Sequence, residues 1–161
     1  FLIALLGELI RFWGVCWAGS ETRTTGSVGG SNLIISGPFA YVRNPLYVGN
    51  ILMYFGLGIM SFALFPYLQV IAISFFILQY HLIVGEEESF LEKKFGEQYK
   101  RFVENVPRFF PRLTPYKDEK NIQPKVSYAK GFKSEIRTLQ AFTIVIILIV
   151  VKWYLSVNNI L

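Results

Sequence analysis

Two apolar stretches, Tyr47 to Phe65 and Tyr67 to Val84, are separated by a single proline, Pro66, and the first contains no charged residue. The second is interrupted only by Gln69, Ser74, Gln79 and His81. As helices each is about 27–28 Å long, close to the hydrocarbon thickness of a bilayer. So short a connection leaves one arrangement, an antiparallel helical hairpin whose open ends lie on the same side of a membrane.

The rest of the chain supports the same class. Hydrophobic residues make up 53% of the chain and charged residues only 17%, which argues against disorder and ordinary nucleic-acid-binding domains. The many Phe, Tyr and Trp residues suit interfacial belts and a lipid-facing surface. Ala141 to Val157 is a third apolar span, with Lys152 close enough to its end to snorkel. Leu2 to Ala18 is a weaker fourth, because it contains Glu8 and Arg11. Those two are three residues apart on one helical face, so they can partner each other or line a polar cavity. The expected fold is all-α: a multi-pass membrane protein of about four transmembrane helices, with a central hairpin and a cytoplasmic helical extension.

Charge fixes the expected orientation. Of the 16 Lys and Arg residues, Arg23 and Arg43 precede the hairpin and twelve more, from Lys93 to Arg137, follow it. The positive-inside rule makes that side cytoplasmic. The net charge of +5 then reflects attraction to anionic head groups and calls for no nucleic-acid partner. The single cysteine, Cys16, permits no internal disulfide, and no paired Cys/His motif implies a metal site. The chain begins with Phe1 rather than Met, so a preceding N-terminal part is expected. Nothing in the residues specifies an oligomeric state.

Between the spans, Ser20 to Ser36 reads as a loop rich in Gly, Ser and Thr, whereas Glu86 to Val106 returns to helical spacing. Phe90, Leu91, Phe95, Tyr99, Phe102, Val103 and Val106 form one apolar stripe on an otherwise charged helix that continues the second hairpin arm and ends at Pro107. Residues 1–112 are therefore expected to form the membrane core. Residues 113–138 read as a basic, surface-hugging cytoplasmic linker, and 139–161 as the final span.

Two polar clusters bracket the hairpin, and its geometry brings them together at the cytoplasmic face. The first runs Gly37-Pro38-Phe39-Ala40-Tyr41-Val42-Arg43-Asn44-Pro45-Leu46-Tyr47-Val48-Gly49. The second comprises Glu86-Glu87-Glu88, Phe95-Gly96-Glu97-Gln98-Tyr99 and Val106-Pro107-Arg108-Phe109-Phe110-Pro111. Three adjacent carboxylates repel one another and invite a cation. Arg43, Lys93 or Lys94 can supply it for Glu88, while Glu86 and Glu87, nearest the hydrocarbon, are candidates for function. Tyr47 is either a site residue or an interfacial anchor. The only histidine, His81, is a structural hydrogen-bonding residue or a candidate base, and Arg43 is a second catalytic candidate. Tyr99 and Phe102 read as a packed face that lids the site and Arg108 as a surface residue or substrate clamp, with Tyr99 and Arg108 the candidate substrate contacts.

Three blocks, the Gly37–Gly49 run, the continuous run Glu86–Tyr99 and the Val106–Pro111 run, in this order over about Leu33 to Pro111, resemble the isoprenylcysteine carboxyl methyltransferase and phospholipid methyltransferase superfamily of integral membrane enzymes. The resemblance implies S-adenosylmethionine as cofactor at the cytoplasmic face and a lipophilic methyl acceptor drawn from the bilayer, an isoprenylcysteine-like carboxylate or a phospholipid amine. It further implies that Asn44, Pro45, Leu46 and Tyr47, the aromatic Phe39, the short segment Leu33–Ile34 and Glu87 hold the cofactor, with Glu86 beside them.

Two departures bear on chemistry. Asn44 stands where the superfamily usually carries His, which keeps a hydrogen-bonding side chain and removes a titratable one. Ile83 stands where eukaryotic members place a substrate-contacting Arg. An NADPH-dependent sterol-type reductase is the alternative enzyme, since such enzymes share the Pro-x-Tyr-x-Gly pattern. They carry an Arg-Asp-Glu and a Cys where this chain has Glu86-Glu87-Glu88 and Leu91. A non-enzymatic membrane scaffold is the third reading.

Overall fold

The computed structural model describes residues 1–19, 32–118, 121 and 123–159. Most of the loop expected at Ser20 to Ser36 lies outside them. The described residues form α1 (Leu2–Ala18), a 3-10 turn (Gly37–Ala40), α2 (Pro45–Ser61), α3 (Tyr67–Phe95), α4 (Glu97–Asn105) and α5 (Tyr128–Val157), and no strand.

α1 and α2 pack antiparallel along a seam of small residues. A methyl group added at Gly7 would lie 2.5 Å from both the Gly49 carbonyl oxygen and the Met53 nitrogen. One added at Gly56 would meet the backbone of Ala4. This is the close backbone approach that membrane helices reach with small side chains, where van der Waals contact replaces a hydrophobic driving force. α5 also runs antiparallel to α1: Gly131 lies against Cys16, and Phe142 closes a small core with Ala4 and Met53.

The hairpin is present. α2 stops in a left-handed residue, Phe62, and the buried Gln69 amide donates to the Gly58 carbonyl at 2.9 Å, satisfying one of the carbonyls left over at the helix end. Down the hairpin, Tyr54 stacks on Phe76 with ring centroids 4.9 Å apart, and Tyr47 meets Tyr80 at 4.7 Å. The aromatic pairs bring Glu87 level with the start of α2.

Among the described residues two helices, α3 and α5, are long and apolar enough to cross a membrane. Val70, Ile71, Phe75, Leu78 and Leu82 on α3, and Ile144, Ile147, Leu148, Val151 and Trp153 on α5, are exposed. A soluble protein would bury such surfaces, and lipid solvates them. α2 is apolar but has only 17 residues, and α1, of equal length, carries Glu8 and Arg11, so length supports two of the four expected spans.

Two other expectations change. The single helix expected from Glu86 to Val106 breaks at Gly96, whose φ of 51° no continuous α-helix accommodates, so α4 turns away from α3. Tyr99, Phe102 and Val106 then bury against Leu33 and Ile35. α5 starts at Tyr128, well before Ala141, with the Ser127 hydroxyl capping the Lys130 N–H. Its first turns, in the segment read as linker, lie against α1.

Candidate active site

The entrance to α2 is held from both sides. Gly37 suits its place twice over: its φ of 63° is one that side chains rarely adopt, and a Cβ there would collide with the Trp17 ring. Pro38 is the second residue of the 3-10 turn and Pro45 the first of α2, positions where a missing N–H costs nothing. The backbone from Ala40 to Arg43 is tied to the chain after α4: Arg43 N–H donates to the Pro107 carbonyl, Arg112 N–H to Tyr41, and Tyr116 N–H to Ala40, each at 2.9 Å. The Asn44 amide donates to the Arg108 carbonyl at 3.2 Å. The first and third sequence blocks thus form one rigid shelf.

Beside that shelf lies an open cavity of about 320 Å³, within the range of about 300–1,000 Å³ usual for small-molecule sites. Leu33, Ile34, Phe39, Arg43, Asn44, Pro45, Leu46, Tyr47, Glu87 and Tyr99, all singled out in the sequence, border it. The Tyr47 hydroxyl donates to Glu87 Oε1 at 2.7 Å, joining the two ends of the hairpin. Leu91, Phe95 and Phe102 supply further apolar wall.

Three expected site residues stand elsewhere. Glu86 is exposed and does not border the cavity, since adjacent helical residues point about 100° apart and Glu87 faces inward. His81 is likewise exposed on α3, away from the cavity. Arg108 grips Glu88 through both Nη2 and Nε, and Arg43 Nη2 lies 3.5 Å from the same carboxylate. Glu88 is therefore the structural member of the triplet, with Arg43 and Arg108 as its cations. Lys94 instead lies over the Phe90 and Phe95 rings.

The opposite end of the cavity holds a buried ionic group. Arg11 Nη2 contacts both oxygens of Glu135, at 2.9 and 3.0 Å, and Arg11 Nη1 donates to the Asn50 side-chain oxygen. Glu8 stands 3.8 Å from Arg11 Nε. Glu135 and Glu8 are only 1% and 3% exposed, so both carboxylates are buried, while Arg11, Asn50 and Glu135 border the cavity. The sequence marked Arg11 by its polarity inside an apolar helix. Asn50 and Glu135 carried no such mark, since Glu135 sits among Lys130, Lys133 and Arg137 in a segment that reads as surface.

On α4, burial pushes the Tyr99 phenol above its usual range, and the Glu88 carboxylate pushes it further. Tyr99, which borders the cavity, is therefore neutral at physiological pH. Taken together, the cavity offers one carboxylate held by a phenol, a set of aromatic and aliphatic faces, and two ion-paired ends. Such a site suits a ligand that is partly apolar and carries positive charge. Among the described residues, no group of three or more His, Cys, Asp and Glu is placed to hold a metal ion.

Comparison with known proteins agrees with the sequence blocks. The chain is 37% identical over 114 residues to the cobalt-zinc-cadmium resistance protein CzcN of Cupriavidus metallidurans, covering 71% of this chain and 48% of that protein. It is 33% identical over 89 residues to the nickel-cobalt-cadmium resistance protein NccN of Alcaligenes xylosoxydans xylosoxydans, covering 55% of this chain and 40% of that one. The chain therefore spans about half the length, or less, of these curated relatives. No solved structure matches it. The family model for phospholipid methyltransferases matches residues 1–98, which contain α1, α2, α3 and most of the cavity wall, and the chain belongs to that family.

Proposed function

We propose that the protein is an S-adenosylmethionine-dependent membrane methyltransferase that modifies a lipophilic acceptor at the cytoplasmic face. The observation that carries this reading is the Tyr47–Glu87 bond, which closes the two hairpin ends on one cavity. The donor set fits the cofactor: a carboxylate for its cationic groups, aromatic faces at Phe39, Tyr47 and Phe95, and an apolar wall for its ring system. Leu33, Ile34, Phe39, Asn44, Pro45, Leu46, Tyr47 and Glu87 would hold it. Bound there, S-adenosylmethionine supplies an electrophilic methyl carbon that an acceptor lone pair displaces from sulfur, leaving a neutral thioether.

The chain's own part is to position reactants and exclude water. Glu87 supplies a carboxylate at the cavity whose direction Tyr47 fixes, and the pairing of Glu88 with Arg43 and Arg108 keeps that second carboxylate occupied. Phe95, Tyr99 and Phe102 cover the site from the side of α4. A carboxylate acceptor reacts without a base. An amine or thiol acceptor must first lose a proton; of the cavity carboxylates Glu88 and Glu135 are held by arginines, so Glu87, rather than the exposed His81, is the group proposed to receive it.

The family assignment favours methyl transfer over the reductase alternative. A part in metal resistance, the term in both relatives' names, would in this reading be exerted through the methylated product. Calorimetry of S-adenosylhomocysteine binding to the detergent-solubilised protein tests the proposal. Glu87→Ala is expected to weaken binding tenfold or more, about 1.4 kcal/mol, while Glu86→Ala leaves it unchanged. Equal affinities for wild type and Glu87→Ala would remove Glu87 from the site, and no binding by wild type would refute the cofactor assignment.

A further inference from the structure

The segment after α4 lies beyond the family-matched residues 1–98, yet it reaches back to the cavity. Gln123 donates through Nε2 to the Leu33 carbonyl at 3.0 Å and accepts the Ile35 N–H on Oε1 at 2.8 Å. The Asn121 amide adds a second donor to the same Leu33 carbonyl at 3.1 Å. Both lone pairs of that oxygen are thereby used.

One carboxamide that bonds the carbonyl of one residue and the N–H of the second residue after it is imitating a neighbouring β-strand. It does so only when the stretch between is extended. In an extended chain, peptide groups of alternate residues point to opposite sides. With Leu33 and Ile35 turned toward Gln123, the N–H and C=O of Ile34 face the other way. Ile34 borders the cavity, and these two groups bond to no described residue.

We infer that Gln123, assisted by Asn121, is a positioning residue that presents the Ile34 peptide edge, one donor beside one acceptor, to the adenine ring of the cofactor. This rests on the S-adenosylmethionine reading above and adds to it a specificity device outside the family-matched region. Adenine offers a ring-nitrogen acceptor next to an amino donor, the complement of a peptide edge. Hypoxanthine has a protonated ring nitrogen and a carbonyl there, which sets donor against donor and acceptor against acceptor.

The test is calorimetric binding of S-adenosylhomocysteine and of its deaminated analogue, S-inosylhomocysteine, to the full chain in detergent. Wild type is expected to prefer the adenine compound by roughly tenfold or more, the scale set by mispaired buried polar groups. Gln123→Ala is expected to weaken S-adenosylhomocysteine binding and narrow the preference severalfold, because the peptide edge is no longer held. General loosening of the cavity would weaken both ligands alike and leave the preference unchanged. Gln123→Glu keeps the acceptor for Ile35 and loses the donor to Leu33, so it should give a smaller narrowing, and it carries the test if the alanine variant does not fold. An unchanged preference in the folded variants overturns the inference alone. Failure of wild type to bind either compound overturns the cofactor reading and this inference with it.

Discussion

Removing the Glu135 carboxylate tests the buried ionic cluster in the most quantitative way. Glu135→Gln keeps the size of the side chain and takes away the charge that meets Arg11 at 2.9 and 3.0 Å. Two unit charges about 4 Å apart at an effective dielectric of 20 attract by about 4 kcal/mol. Breaking one partner of a buried pair typically costs about 3–5 kcal/mol, since the other charge stays desolvated. Here Glu8, 3.8 Å from Arg11 Nε, takes up part of the lost neutralisation. The expected net cost is therefore smaller, about 2–3 kcal/mol. Glu8→Gln should cost much less, because it leaves one carboxylate per guanidinium. The double variant strands Arg11 and should lose more than the two single losses combined. Thermal unfolding of all four proteins in one detergent measures this. Equal losses for the two single variants, or strict additivity, would refute the claim that one guanidinium serves two carboxylates.

Other consequences follow from the seam, the shelf and α4. Gly56→Leu should abolish recovery of monodisperse protein on size-exclusion chromatography, since its side chain would meet the Ala4 backbone, while Gly58→Ala should behave as wild type, its added carbon lying 3.5 Å from Gln69 Cγ. Arg108→Ala leaves Glu88 to Arg43 alone and should weaken S-adenosylhomocysteine binding severalfold in a calorimetric titration, with Arg108→Lys partly restoring it. Burial raises the Tyr99 phenol above its unfolded pKa, so the stability it lends is complete below about pH 10 and is lost as pH rises through the folded value. Tyr99→Phe should accordingly flatten the alkaline limb of a melting-temperature profile, and an unaltered limb would count against it.

The sequence was informative wherever one local property decided the structure. Pro66 between two apolar stretches dictates the hairpin, and a hairpin must bring Tyr47 near Glu87 whatever the remaining packing. Legibility ended where helix rotation or distant packing decided. Glu86 and Glu87 look alike in sequence, and only the rotation of α3 turns one toward the cavity and the other to the outside. The break at Gly96 was hidden because a single glycine inside a regular apolar stripe is tolerated in many helices. Glu135, Asn121 and Gln123 gave no signal, for each is a polar residue in a polar segment. Their roles exist only because α5 and the chain before it fold back on α1 and on Leu33–Ile35.

The central claim is that this cavity delivers a methyl group to a lipophilic acceptor. Incubating membranes containing the protein with S-adenosylmethionine labelled on its methyl group, then analysing the lipid extract by mass spectrometry, tests it most directly. Wild type is expected to yield a product carrying one added labelled methyl, and Glu87→Ala to yield far less at equal protein. Label entering the extract equally with both proteins, or with neither, would contradict it.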